Sequence, residues 1–437
     1  VSSRHGGWQL SLTGAVGPTT SLSQKTTECN ILNYGAVNDN STDVASAIEK
    51  AFKTCVLPHA GSRLIVPDGQ YLIKRTVILS NGNNWAFQLD GLITLAYGGN
   101  WTVDRELILQ GFAGVEPLNA TINGEGDGQF LQNGITIINP VDFEFYSKNG
   151  KGAIQGQGYL YRNLANTFRP RLVRLISPIN TAVHDLILVD SPKFHIVCAF
   201  AVKLEVYYLT IRGANLGSYD GVDVVGTNYW IHDIEVTNRD ECVSVKSPFN
   251  YALVENLVCN QAGSGISIGS LNVSASIANI HARNISIIQG NIIAFIKTYP
   301  GGSGHLYGLD VNQYWQKTFE PDTGAVALSN LVFRNFSGSV ADGAKRPPLY
   351  LTANDLTYAT NVTVENFSLW TESGNSVVNK ISNIFGTGDN SYGTYLYHHG
   401  IASRLDGSSV TNLGRAKYRI WNRRSHSGLY PGAALEA

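Results

Sequence analysis

Six-residue segments of one design recur through the chain at a nearly fixed interval. They are DLILVD from Asp185, YLTIRG from Tyr208, DIEVTN from Asp233, NLVCNQ from Asn256, NIHARN from Asn279, NLVFRN from Asn330 and NVTVEN from Asn361. The first five starts lie 23, 25, 23 and 23 residues apart. Each segment is a short run of alternating polar and apolar residues that mostly closes on Asn, Asp or Gly, the pattern of a strand ended by a turn. One such strand buries too little to stand alone, so a fixed period implies stacking on its neighbours. Units stacked in one register make a parallel β-helix. The later gaps of 51 and 31 residues then fit two coils, and one coil with an inserted loop. A Greek-key sandwich, the other all-β arrangement, spaces its strands by about 8–12 residues and has no such register.

The start of the chain supplies the cap that a solenoid needs. Residues 44–55 place Val44, Ala45, Ala47, Ile48, Ala51 and Phe52 at helical spacing, after the N-cap candidates Ser41 and Asp43. A short helix is expected there, plugging the first coil. The layout that follows is an extension over residues 1–28, a β-helix catalytic domain over 29–370, and an irregular Ser-, Gly-, Asn- and Tyr-rich tail over 371–437 that packs on the helix.

Composition agrees with an all-β chain: 45 glycines and 21 tyrosines stand against only 15% charged residues, while 43% hydrophobic residues suffice for a core. A net charge of −1 with no basic stripe excludes the electrostatic footprint of nucleic-acid binding. No stretch approaches the roughly 18–20 apolar residues that cross a bilayer, and no signal peptide is visible. The absence of methionine suggests a processed product. Eight Asn-X-Ser/Thr sequons, at Asn40, Asn100, Asn119, Asn272, Asn284, Asn335, Asn361 and Asn366, suit a secreted glycoprotein. The five cysteines are too widely spaced for a zinc site. Sequence proximity pairs Cys29 with Cys55 and Cys242 with Cys259, leaving Cys198 as a small buried apolar residue.

A second register runs beside the first, in DGVDVV from Asp220, ECVSVK from Glu241, SGISIG from Ser264 and IAFIK from Ile293. Aligning the apolar pairs puts Val222 over Val243, Ile266 and Ala294, and Val224 over Val245, Ile268 and Ile296. Alternation then turns Asp223, Ser244, Ser267 and Phe295 outward in one column, with Val225, Lys246, Gly269 and Lys297 in the next. Asp220 and Glu241 fall in one column of successive coils, and Asp240 adjoins Glu241; Gly217 and Gly221 let the chain bend there. With strands about 4.8 Å apart, three carboxyls crowd together, and one should hold its proton near neutral pH. A glycosidase needs that pairing of a protonated carboxyl for the leaving oxygen with an ionised one for water or the sugar.

Each residue also has a plainer use. Asp220-Gly221 is a common turn dipeptide, Asp240 and Glu241 can be a solvated pair beside Arg239, and Lys246 and Lys297 can be strand-edge charges. His195 and His232 read as packing or hydrogen-bonding residues. An unpaired acidic ladder on consecutive rungs destabilises a sheet, however, so its persistence points to function. Calcium takes about six to eight oxygens, and no calcium-repeat loop is present. Neither metal nor cofactor is expected.

These residues resemble the polygalacturonase and rhamnogalacturonase family, whose members are right-handed parallel β-helices acting on pectin. The family pattern Asn-Thr-Asp, Asp-Asp-Cys, Gly-His-Gly and Arg-Ile-Lys is matched by Ser218-Tyr219-Asp220, Asp240-Glu241-Cys242, Gly263-Ser264-Gly265 and Phe295-Ile296-Lys297. The resemblance spans about residues 29–370, and residues 240–248 are similar to rhamnogalacturonases in particular. It implies Asp240 as general acid, Asp220 and Glu241 as holders and activators of water, and inversion at the anomeric carbon. Lys297, with Lys246, would bind a galacturonate carboxylate. Ser264 and Phe295 replace the His and Arg that serve galacturonate, which favours a less charged sugar such as rhamnose. The expected partner is a pectic polysaccharide, met by a monomer. The alternatives are a polygalacturonase or xylogalacturonan hydrolase, and a β-helix lyase or binding protein.

Overall fold

In a computed structural model, the described residues are 12–101, 132–161, 169–213, 219–271, 274–298, 303–307, 326–340, 350–353, 357–371, 380–388, 395–398, 401–404 and 409–410. Strands joined in parallel, coil upon coil, form one continuous sheet that curls into a parallel β-helix. Apolar residues facing inward from every coil build one core, which runs from Cys29 to Ile384. Like residues stack along it: the rings of Phe87 and Phe145 lie parallel 4.8 Å apart, and Trp85 sits 4.3 Å from Phe143. Each fully buried aromatic contributes about 1.5–3 kcal/mol of transfer free energy, so stability is spread along the stack.

The first coil is closed by the helix Ala45–Ala51 and a wider turn over Phe52–Val56. Asp43 accepts from the Ala45 amide at 3.0 Å, whereas Ser41 donates its own amide to Asp39 and does not cap. Ala45, Ala47, Ile48, Ala51 and Phe52 are buried, with Phe52 edge-on to Trp85. The Cys29–Cys55 bond ties this cap to the first strand, Thr27–Asn30. Residues 13–20 strap across the coils: Thr13 donates to Asn228, Gly17 to the Lys203 carbonyl, and Thr19 and Thr20 to the Asp142 carboxylate.

The second sequence register is the one observed. Val222 pairs with Val243, Val243 with Ile266 and Ile266 with Ala294, and Asp223, Ser244, Ser267 and Phe295 share a column. The first register changes column at its fifth unit. Ile187, Thr210, Glu235 and Val258 are successive partners, but the next is Ser286, so Asn256 faces Asn284 and not Asn279. Asn279 belongs to the neighbouring column, donating to Asn250, and that column continues to Asn330 and Asn361, which hydrogen-bond each other. Both columns turn the chain through left-handed Asn or Asp residues, among them Asp233, Asn256, Asn279, Asn284, Asn330 and Asn361. These residue types tolerate that conformation. The coil between the two columns is 28 residues long, and its NIHARN and NISII stretches look alike in sequence.

Sequon residues Asn284 and Asn361 are thus exposed members of these ladders, each donating to the asparagine one rung before. Asn40 and Asn100 are exposed, Asn335 and Asn366 lie on the strands Ala327–Val340 and Ala359–Thr371, and Asn119 and Asn272 lie outside the described residues. Parallel pairing continues beyond Trp370, where Ile384–Gly388 joins Ala359–Thr371, and an antiparallel sheet follows over residues 395–410. No helix among the described residues is long and apolar enough to cross a membrane.

Candidate active site

Asp220 sits just before the strand Val222–Thr237, Glu241 opens Glu241–Asn260, and Ser264 opens Ser264–Leu271. Their spacing is set by the backbone. Gly221 donates its amide to the Glu241 carbonyl at 2.8 Å. Glycine is required here for close approach more than for bending, since a Cβ would lie 2.5 Å from the Cys242 carbonyl oxygen. A Cβ on Gly263 would likewise press on Arg239 and Asp240. Gly217 and Ser218 lie outside the described residues.

Two buried side chains brace this turn from within. The main-chain amide and ring Nδ1 of His195 both donate to the Asp220 carbonyl at 2.9 Å. Asn238 donates through Nδ2 to the carbonyls of Tyr219 at 2.9 Å and Glu241 at 3.0 Å, so one amide fixes both coils. Burial pushes the His195 imidazole down to about 4, which keeps it neutral. His195 is therefore a hydrogen-bonding residue, as its sequence context suggests, but its partner is the turn that carries Asp220.

One carboxyl oxygen from each of Asp220, Asp240 and Glu241 lies within 4.8 Å of the other two. Asp220 and Glu241 are buried, and Asp240 is half-buried. Burial, then the charges of Glu241, Asp240 and Asp223, push the Asp220 carboxyl well above the usual carboxylate range. Burial also opposes ionisation of Glu241, but the Lys297 ammonium in direct contact with it, helped by hydrogen bonding from Asp240 and by Lys246, holds its carboxyl below the usual range. The free site thus keeps a proton on Asp220 and a negative charge on Glu241, which accepts a hydrogen bond from the Asp240 carboxyl. Three carboxyls this close could ligate a cation, but Lys297 and Lys246 already bring the countercharge into the cluster. Proton transfer is the chemistry that the arrangement performs best.

Asp223, Ser244, Ser267 and Phe295 point away from the core but are buried, so their sheet face is not the exposed one that alternation alone predicts. Long neighbours fold over it: Lys246 reaches back to within 3.5 Å of Asp223, and Lys297 lies 5.7 Å from the Phe295 ring. The hydroxyls of Ser244, Ser264 and Ser267 have no hydrogen-bond partner among the described residues. Cys242–Cys259 is bonded with its Cα atoms 6.2 Å apart, beside the site, and Cys198 is a buried free thiol that burial pushes up to about 12. His232 lies on a different sheet face, away from the carboxyls, hydrogen-bonded to Asp233 and Glu205.

Sequence reasoning missed a cationic group on the coils before Asp220. Arg171 shares the column of Phe194, Asp220 and Glu241, and Arg174 shares that of Val197, Asp223 and Ser244. Extending the register two strands back, to RLVRLI in Arg171–Ile176, exposes both.

Residues 62–313 match the family described as glycosyl hydrolases family 28. The chain belongs to that family. It is 39% identical to the probable rhamnogalacturonase A of Aspergillus niger, over 86% of this chain and 80% of the relative. It is 36% identical to rhamnogalacturonase A of Aspergillus aculeatus, over 92% and 88%. Among solved structures, the endo-xylogalacturonan hydrolase of Aspergillus tubingensis superposes with a TM-score of 0.63 at 22% identity, covering 83% of this chain and 99% of that one. The polygalacturonase of Erwinia carotovora gives 0.59 at 15% identity, covering 87% and 100%. These structures share the β-helix, and the family makes the protein a glycoside hydrolase.

Proposed function

We propose that this family 28 enzyme is a secreted hydrolase of the rhamnogalacturonan backbone of pectin, cutting between galacturonate and rhamnose with inversion. The observation that carries the substrate is the pair Ser264 and Phe295. A small hydroxyl on the rung after Glu241 and an aromatic ring beside Lys297 stand where the resemblance implies a His and an Arg for galacturonate. An apolar ring suits the methyl group of rhamnose, and a guanidinium suits a carboxylate. The names of the relatives agree with this reading. The sequons and the two disulfide bonds suit an extracellular site of action.

Asp240, the most accessible of the three carboxyls, donates a proton to the glycosidic oxygen as that bond breaks. Water held between Glu241 and Asp220 attacks the anomeric carbon, and its proton passes to the ionised Glu241. Proton transfer back to Asp240 across their short separation resets the site. Lys297 keeps Glu241 ionised and, with Lys246, takes a galacturonate carboxylate; Asp223 orients Lys246. Separation of the carboxyls taken alone favours retention, since inverting pairs stand about 6.5–9.5 Å apart. Inversion rests on the family resemblance, with the water seated at the pair Asp220 and Glu241. Proton NMR of the first-formed anomer decides between the two outcomes. Incubation with rhamnogalacturonan and with homogalacturonan, followed by sizing of the products, tests the substrate. Oligomers from rhamnogalacturonan are expected, and oligomers from homogalacturonan alone would overturn the assignment.

A further inference from the structure

Before each rung of the carboxyl sheet the chain turns in from a neighbouring sheet, in which Leu92–Asn100, Ala153–Gln155, Ile187–Val189 and Thr210–Arg212 pair in succession. The turns after the first two of these strands carry Tyr97 with Trp101, and Tyr159 with Tyr161; the turn after the last leads to Tyr219 and Asp220. Tyr97 and Tyr159 therefore stand on the same edge of the stack as Asp220, on coils nearer the N-terminus. On the two coils after Asp240 the corresponding turns, residues 261–263 and 289–291, read Gln-Ala-Gly and Gln-Gly-Asn. The edge is aromatic on one side of the carboxyls and small or polar on the other.

Two of these rings are exposed and two support them. Tyr161 and Trp101 are buried, and the indole Nε1 donates to the Tyr161 hydroxyl at 3.2 Å. Tyr97 stands edge-on to Tyr161 with ring centroids 5.1 Å apart, yet 47% of Tyr97 is exposed. Tyr159 is 50% exposed, and its main chain is pinned to the next coil: the Gly158 amide donates to the Asp190 carbonyl at 2.7 Å and the Tyr159 amide to the Asp190 carboxylate at 2.9 Å. This close approach requires the glycine, since a Cβ on Gly158 would lie 2.4 Å from the Ser191 carbonyl oxygen. Tyrosines held on a braced backbone offer a large amphipathic surface and lose little conformational entropy on binding.

Their place along the helix axis points to the occupant. The chain enters the carboxyl sheet after Tyr161 at Arg171, two strand steps before Asp220, and after Tyr97 at Asn133, three steps before it. At about 4.8 Å per step these are about 10 and 14 Å from the carboxyls. A sugar is comparable in length to one step, so a polysaccharide running along the sheet passes these turns about two to four sugars from the cut bond. Pyranose rings present apolar faces of C–H groups that pack on aromatic rings, while their hydroxyls stay in water. We infer that Tyr97 and Tyr159 form a distal platform that stacks sugars of the pectic backbone on the side of the cut bond nearer the N-terminal coils. The assignment rests on the rhamnogalacturonan reading above and deepens it, because it makes the enzyme a reader of chain length with its grip on one side only.

The test compares kcat/KM of the full chain on short and long rhamnogalacturonan oligosaccharides, of about four and about twelve sugars, which fall short of the platform and overrun it. In the double variant Tyr97→Ala with Tyr159→Ala the ratio of long to short should fall by about three- to ten-fold, through KM. The wild type should cut the long substrate off-centre and the double variant more evenly. Tyr97→Phe and Tyr159→Phe keep the rings and should keep the ratio. Tyr159→Ala alone carries the test if loss of Tyr97 loosens Tyr161 and the double variant does not fold. An unchanged ratio in the alanine variants, or phenylalanine variants as poor as the alanine ones, would overturn the platform. A wild type inert on rhamnogalacturonan would overturn the substrate reading instead, and the same variants on a length series of homogalacturonan would then decide the platform.

Discussion

In the ladder of Tyr146, His184, Tyr207 and His232, the rings stack 5.5, 4.6 and 5.1 Å apart, and each histidine holds two carboxylates. His184 donates to Glu144 at 2.8 Å and Asp185 at 2.7 Å; His232 donates to Glu205 at 3.2 Å and Asp233 at 2.7 Å. The column of Asp220 and Glu241 also stacks ionisable groups on successive coils, but there acid meets acid, and Asp220 answers burial by keeping its proton. Stacked charge is therefore not in itself a sign of function. In the ladder every one of these carboxylates has a ring nitrogen to bond, and the result is structure. In the carboxyl column carboxyl faces carboxyl, and the proton held there is available to a substrate.

Asp240→Asn makes the sharpest break with the ladder. It removes the proton that the leaving group needs while keeping the size of the side chain. Turnover should fall by about 10²–10⁴-fold or more, while the melting temperature stays close to that of the wild type, because the replacement is isosteric and neutral like the protonated acid it replaces. Full activity in this variant would end the assignment of Asp240 as the acid. Lys297→Met comes next. Without the ammonium, the Glu241 carboxyl rises from its depressed position, so Glu241 becomes protonated at higher pH. The acid limb of the pH–rate profile should move upward and kcat should fall by about 10–100-fold. An unmoved acid limb would mean that Lys297 does not set the charge of Glu241.

Asn238→Ala has a smaller effect and tests whether the two coils are held in register from inside. Loss of one buried amide bridging the Tyr219 and Glu241 carbonyls should lower kcat by about ten-fold with KM nearly unchanged, since the carboxyls drift while the substrate contacts remain. A drop in melting temperature with kcat retained would make Asn238 a packing residue only.

What the sequence disclosed follows from how a β-helix repeats. Period-two alternation is enforced wherever a strand faces the core, so the pairs from Val222 to Ala294 and the neighbouring columns could be aligned by eye. The switch at Asn279 was hidden because both turn columns of a coil use asparagine followed by isoleucine, and coil length alone tells them apart. Asp220, Asp240 and Glu241 were legible as a cluster, since stacking converts sequence period into distance. Asn238 and His195 left no signal for their bracing role: their partners are backbone carbonyls, which look the same in every sequence. Arg171 and Arg174 read as ordinary strand charges until their rung is known. Lys193, just before a strand, is placed only by its contact with Phe194.

The ladder itself gives the smallest and most specific expectation. Burial draws both imidazoles toward the neutral form, but two carboxylates on each outweigh it, so His184 and His232 hold their protons above the ordinary histidine value. A histidine pKa raised by folding adds stability that is fully present below the unfolded value of about 6.5 and is lost as pH rises through the folded value. The melting temperature should therefore decline by a few degrees between acid pH and the alkaline side of that transition. In His184→Gln, which keeps hydrogen-bonding capacity but has no proton to lose, the decline should be smaller, and kcat at acid pH should stay within about two-fold of wild type, because the ladder lies on a different sheet face from the carboxyls. An unchanged decline would place the pH sensitivity elsewhere. A matching loss of kcat would show that the two charge systems are coupled through the coil stack, and their separation into a structural ladder and a reactive column would fail.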